Sequence, residues 1–186
     1  MTAEETLRDA THKMARAVEV TREELSTVRT GRATPAILNR VNVDYYGSHV
    51  PLNQLASFSV PEPRLLVIQP FDRNAISAIE RAIMQSDLGL TPSNDGNLIR
   101  LAFPSLTEER RKELIRMVRE RGEEGRVAIR NVRRHAKEEL ERLERSGSIS
   151  EDDLARSERE LQKQTDKYVA EVDGLLGHKE KELMEV

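Results

Sequence analysis

All seven prolines of this 186-residue chain lie between Pro35 and Pro104. Proline has no N–H to give a helix ladder, and its ring clashes with the preceding turn. The segments before Pro35 and after Pro104 are therefore free to form long helices, and the middle is not. Five of the six aromatics (Tyr45, Tyr46, Phe58, Phe71, Phe103) fall in the same window. One chain thus holds two kinds of structure, a helical part split in sequence and a proline-rich insert.

The flanks carry narrow apolar stripes. Leu7, Ala10, Met14, Ala17, Thr21, Leu25 and Val28 recur at steps of three and four, which predicts one helix over about 4–30. Gly31 stands where a left-handed cap is expected, and Arg29 where a cation suits the last turn. After the insert, Thr107 is placed to cap a helix running to about Arg145. Ile115, Val118, Gly122, Gly125, Ile129, Val132, Ala136, Leu140 and Leu143 form its stripe. "SGS" at 146–148 predicts a turn, and "SEDDL" from Ser150 a capped start with acids in the first turn. The third helix carries Leu154, Leu161, Tyr168, Val172, Leu175 and Leu183; Gly174 and Gly177 predict a frayed end.

Narrow stripes cannot be buried by one helix alone, so three such helices predict an elongated antiparallel three-helix bundle. Its residues are 1–30 plus 105–186, a domain discontinuous in sequence. The insert, 31–104, reads as a small β/α/β domain, making the chain α+β. "RVNVDYYG", "HVPL", "ASFSV", "RLLVIQPF" and "NLIRLAF" read as strands and "DRNAISAIERAIMQSDLG" as a helix with Ile76, Ile79 and Ile83 inward. Tyr45, Tyr46 and Phe58 read as core filling. The two connections, near Thr30–Ala33 and Phe103–Ser105, are either a hinge or ordinary element ends.

Composition excludes several classes. There is no cysteine, so disulfides and thiolate metal sites are out. "MTAEETLRDATHK" lacks the apolar core of a signal peptide, and apolar runs such as "LLVI" at 65–68 are far too short to span a membrane. The expected location is the cytoplasm. The histidines (His12, His49, His135, His178) are scattered, and no HExxH, Gly-Lys-Ser/Thr loop or G-x-S-x-G occurs. "DRNAIS" opens like a calcium loop, but Ser77 and Ile83 occupy the glycine and glutamate positions. The chain is expected to be no enzyme and to need no metal or cofactor.

One feature points to a partner. Between Arg110 and Lys137 there are eleven Lys/Arg and four acids, in a chain of net charge −3. Lys112, Arg116, Arg119, Glu123, Arg126, Arg130, Arg133 and Lys137 step by four and three along one stripe, turned about 100° from the apolar one. Like charges at such spacing destabilise a helix, so the stripe predicts an anionic partner, with Arg130 and Arg133 on solvent. Guanidinium forks suit phosphate. Only Asn131 could read a base edge, so the expected recognition is of phosphate and shape. A helical scaffold whose basic face docks an acidic protein is the alternative.

"RTGRATPAIL", "VDYYGSHVPLNQLAS", "FDRNAISAIERAIMQSDLGL", "LTEERRKEL", "RVAIRNVRRHAK" and "ISEDD" together resemble the bacterial ribosome recycling factor family, in order and over essentially the whole chain. The resemblance implies an L-shaped molecule, a three-helix bundle and an inserted β/α/β domain joined by a flexible two-strand hinge, acting as a monomer. It implies binding between the subunits of the post-termination ribosome, with the bundle against large-subunit rRNA. Elongation factor G with GTP is the implied partner in splitting the subunits and releasing mRNA. The family's R-x-x-R-R motif falls on Arg130, Arg133 and Arg134, and its hinge on Arg29, Thr30, Gly31 and Arg32 and on Pro104 and Ser105. The rRNA-facing set expected from motif and stripe together is Arg130, Arg133, Arg134, Arg126, Lys137, Arg119, Arg116 and Lys112.

Overall fold

Thr2 starts the first helix, α1 (Ala3–Ser26), through a reciprocal cap. Its hydroxyl accepts the Glu5 N–H at 3.2 Å while the Glu5 carboxylate accepts the Thr2 N–H at 2.8 Å. The structure, a computed structural model, describes residues 2–185. The helix ends four residues before the expected Thr30. Ser26 and Thr27 turn their hydroxyls back onto the carbonyls of Glu23 and Glu24, at 2.6 and 2.7 Å. The N–H groups of Thr27 and Val28 bond three residues back, tightening the last turn. Gly31 is left-handed (φ 76°) but lies beyond this cap, and Arg29 is outside the last turn.

The other two long helices are α3 (Glu108–Arg145, 38 residues) and α4 (Glu151–Met184, 34 residues). At the standard rise α3 is about 57 Å long. The link between them is tight. Gly147 (φ 73°) takes the left-handed position, Ser148 N–H reaches Leu143 O at 2.9 Å, and Gly147 N–H reaches Glu144 O at 2.8 Å. Ser150 then caps α4 by accepting the Asp153 N–H. The helix continues through Gly174 and Gly177 to Met184. Each of the three long helices packs against both others. Met14 and Val18 of α1, Ile129 and Leu140 of α3, and Leu161 and Val172 of α4 share one buried core. In α3, Leu114 rather than the expected Ile115 begins the buried face; Ile115 is half-buried.

The remaining residues form a separate unit, Thr30–Thr107, while α1, α3 and α4 belong to the unit made of the chain up to Arg29 and of Glu108–Glu185. The insert has two sheets. The strands β1 (Asn42–Tyr45) and β2 (Ser48–Pro51) form an antiparallel hairpin. The strands β3 (Ala56–Glu62), β4 (Leu65–Pro70), β5 (Pro92–Asn94) and β6 (Ile99–Ala102) form an antiparallel sheet in the order β3-β4-β6-β5. Leu66 and Ile68 of β4 and Ile99 and Leu101 of β6 alternate inward, as period-two patterning requires. The short helix α2 (Ile76–Gln85) lays Ile76, Ile79 and Ile83 into the same core.

Phe58 and Tyr45 pack against this core as expected. Tyr46 does not, being 79% exposed. With Gly47 it makes the hairpin turn at φ 51° and 80°, both in the left-handed region that such two-residue turns require. A side chain at the tip of the turn has no core to enter.

Candidate nucleic-acid interface

The stripe runs along the flank of the core seam of α3: Arg119, Glu123, Arg126, Arg130 and Lys137 each follow a buried residue, and Arg116 and Arg133 follow the half-buried Ile115 and Val132. Flanking positions are where neighbouring helices exchange charges in a coiled-coil-like packing. Arg119 Nε meets Glu180 at 2.6 Å, Arg126 meets Asp173, and Lys137 Nζ meets Glu158 at 3.3 Å. All three acids belong to α4, and the order of the pairs shows the two helices running antiparallel. Within α3, Glu123 accepts from both Arg126 and Arg130. The expectation of an unopposed positive run is therefore corrected: α4 and Glu123 supply the missing acids.

The pairing is visible in the titrating groups. The hydrogen bond from Arg126, with a further one from Arg130, holds the Glu123 carboxyl below its ordinary range. Burial works against the charge on Arg126, but the bonds to Asp173 and Glu123 outweigh it and raise its pKa. The bond to Glu180 raises that of Arg119.

The eight expected residues consequently fall into different states. Arg126 is clasped by two acids, with its side chain only 22% exposed. Arg119 and Lys137 are exposed but acid-paired, Lys137 also reaching Glu141 at 3.8 Å. Arg130 is 50% exposed and shares Glu123. Arg133 is half-buried rather than on open solvent, because its guanidinium leans over α4 to donate to Gln162 Oε1 at 2.8 Å. That partner is neutral, so the charge of Arg133 is not cancelled. Arg134, Arg116 and Lys112 are exposed and meet no acid among the described residues. Arg133 and Arg134 are therefore adjacent cations of α3 that no acid cancels, and Arg130, one turn before them, shares its single acid with Arg126. Exposed ion pairs contribute about 0–1 kcal/mol each, so exchanging a carboxylate for a phosphate at this surface costs little.

A family model described as ribosome recycling factor matches residues 21–184. The chain belongs to the ribosome recycling factor family. It is 54% identical over 183 residues to the ribosome-recycling factor of Thermobifida fusca (strain YX), covering 98% of this chain and 99% of the relative. It is 56% identical over 182 residues to that of Symbiobacterium thermophilum, covering 98% of each. A solution structure of the ribosome recycling factor matches with a TM-score of 0.73 at 46% identity, over 100% of this chain and 99% of that one. A second match, with a TM-score of 0.65 and 50% identity over 98% and 99%, comes from models of the T. thermophilus ribosome recycling factor and E. coli elongation factor G bound to the E. coli post-termination complex.

In this recycling-factor chain the residues expected at the hinge lie in two segments without regular structure, 27–34 and 103–107. Arg29, Arg32, Pro104 and Ser105 are exposed, Thr30 is buried, and Gly31 holds its positive φ. Inside the insert both segments are pinned at neighbouring points of the turn between β3 and β4. Ala33 N–H donates to Pro63 O and Phe103 N–H to Arg64 O, each at 2.8 Å. Sequence reasoning missed these anchors, since backbone bonds leave no side-chain signal. The four histidines are exposed and apart, and no metal-holding group of His, Asp or Glu occurs among the described residues.

Proposed function

We propose that the protein recycles ribosomes after termination. It binds the post-termination ribosome between the subunits with its bundle against large-subunit rRNA. Together with elongation factor G and GTP it drives the subunits apart and promotes release of mRNA. The observation that carries this reading is the likeness, over 98% of the chain, to ribosome-recycling factors, one of which is described alongside elongation factor G on a post-termination complex.

The contact is made by charge rather than by base readout. Arg130, Arg133 and Arg134 meet rRNA phosphates, and the acid-paired Arg119, Arg126 and Lys137 mainly hold α4 against α3. Residues 27–34 and 103–107 serve as the hinge between bundle and insert; the positive φ of Gly31 and the adjacent anchors at Pro63 and Arg64 support that role. The protein acts mechanically, as a monomer in the cytoplasm, and GTP turnover belongs to elongation factor G.

A light-scattering assay of subunit splitting tests the whole reading. Splitting of post-termination complexes is expected only when the protein, elongation factor G and GTP are present together. Equal splitting without the protein, or GTP hydrolysis that follows the protein alone through two unrelated purification steps, would overturn it.

A further inference from the structure

A cleft of about 450 Å³ opens between α3 and α4, lined by Arg133 and Lys137 from one helix and by Glu158, Arg159, Leu161 and Gln162 from the other. We propose that this cleft is a phosphate notch for the rRNA backbone and that Arg159, from the helix opposite the arginine motif, is one of its contacts. The proposal rests on the ribosomal reading above and adds a second helix to the binding face.

The cleft is cationic. Three cations face one carboxylate, Glu158, and that carboxylate is already engaged by Lys137 at 3.3 Å. Arg133 is held in place by Gln162, whose own amide donates to Asp166 Oδ1 at 2.7 Å. A guanidinium has five N–H donors, so one bond to a neutral amide orients Arg133 without consuming it.

The surroundings of Arg159 leave its charge uncancelled. Arg159 is exposed and has no acid partner among the described residues. Its helical neighbours three and four residues away are Ala155, Arg156, Gln162 and Lys163, so no acid can reach it along α4 and two cations repel it. Some exposed arginines of these helices do have such partners, as Arg156 pairs with Asp153 and Arg142 with Glu139. A cation left unpaired beside a cleft, opposite another whose partner is neutral, is placed to clamp an anion from two sides.

At about 450 Å³ the cleft is large enough to seat one phosphodiester link. Planar forks from two directions match its oxygens.

The test measures affinity for purified large subunits, small subunits and transfer RNA over a series of KCl concentrations, for wild type, Arg159→Ala, Arg159→Lys, Arg133→Ala and Arg156→Ala. Arg159→Ala is expected to melt like wild type, to lose about tenfold in affinity for large subunits, and to flatten the slope of log K against log salt by about 0.7–0.9, one phosphate's worth. Arg159→Lys should restore the slope and only part of the affinity, and Arg156→Ala should match wild type. Wild-type affinity and slope for Arg159→Ala, with Arg133→Ala impaired, overturn the notch and leave the ribosomal reading standing. If both variants behave as wild type, the reading of the arginine face fails with it. Lost affinity at an unchanged slope means a contact other than phosphate, and a loss seen equally with transfer RNA means nonspecific charge; either overturns the proposal.

Discussion

Gly125 on α3 lies directly against the side chain of Thr21 on α1. A Cβ built on Gly125 would overlap the Thr21 hydroxyl and stand 3.2 Å from its methyl carbon. Thr21 is buried, and its hydroxyl is tied to Ala17 O at 2.9 Å, so it has no free direction to yield. One turn earlier, a Cβ on Gly122 would press on Leu176 of α4 at 3.1 Å. Two glycines in one long helix, each costing about 1 kcal/mol of propensity, are thereby explained by two close helix contacts.

Gly125→Ala is therefore expected to destabilise the bundle by about 1–3 kcal/mol, although alanine is the better helix former. Removing the obstacle should reverse part of this. In a cycle of Thr21→Ala, Gly125→Ala and the double variant, urea unfolding should give the double variant a stability above the sum of the single effects by about 1 kcal/mol. Strict additivity would show that the two residues do not press on each other.

Gly174 and Gly177 are the opposite case. Nothing lies within 4 Å of a Cβ at either one, and both continue the helix. Replacing each by alanine should raise stability by about 0.5–1 kcal/mol, read as a higher melting temperature. A loss of stability at either position would mean that the helix there is not packed as described.

Asp95 governs the turn between β5 and β6. Its Oδ1 accepts the N–H groups of Leu98 and Asn97 at 2.9 and 3.0 Å, and its Oδ2 pairs with Arg100 at 2.9 Å. These contacts, the Leu98 bond foremost, lower its pKa to about 2. The folded value lies below the unfolded one of about 3.9, so the carboxylate stabilises the turn at neutral pH. That contribution fades as pH falls from about 4 through about 2. The carboxyl carbon shift of Asp95 should titrate with a midpoint near 2. Asp95→Asn should melt lower than wild type at neutral pH, with the deficit closing in acid. A midpoint at the unfolded value would show the turn contacts to be absent in solution.

The proline window and the apolar stripes made the two-part architecture legible, because helix burial repeats every three or four residues and proline is excluded from it. What stayed hidden was whatever depends on residues far apart. Arg119 and Arg126 find their acids 61 and 47 positions away, whereas charge spacing within one helix reports only its own face. The early end of α1 was missed because Ser26 and Thr27 stop it with local hydroxyl bonds while the apolar pattern runs on to Val28. The strand β5 was missed for a related reason. Pro92, Ser93 and Asn94 do not alternate in hydrophobicity, and the strand lies at the sheet edge, where proline is tolerated.

Gly31 offers a test of the hinge. At φ 76° a β-branched residue is strained by about 1–3 kcal/mol. Gly31→Val is expected to leave the helical signal and ribosome binding close to wild type while slowing splitting with elongation factor G, measured by stopped-flow light scattering. Unchanged splitting would move the flexible element to the other connection, at 103–107.

The cationic face makes the sharpest demand, because the pairing pattern assigns neighbouring arginines opposite outcomes. Arg126 is mostly covered and held by Asp173 and Glu123. Its replacement by alanine leaves Asp173 without its cation, leaves Glu123 with Arg130 alone, and removes packing between α3 and α4. It should lower stability by about 0.5–1 kcal/mol and affect ribosome affinity little. Arg134 is exposed with no acid partner among the described residues, and Arg133 has only Gln162. Arg134→Ala should shift stability by less than about 0.5 kcal/mol. Both Arg133→Ala and Arg134→Ala should cost about 1–3 kcal/mol of ribosome affinity and flatten its salt dependence. Affinity by sedimentation with ribosomes at several salt concentrations, and stability by urea titration, place each variant on both axes. If Arg126→Ala weakens binding as much as Arg133→Ala without unfolding more easily, the acids of α4 are not holding it, and the division of the stripe into structural and binding cations is wrong.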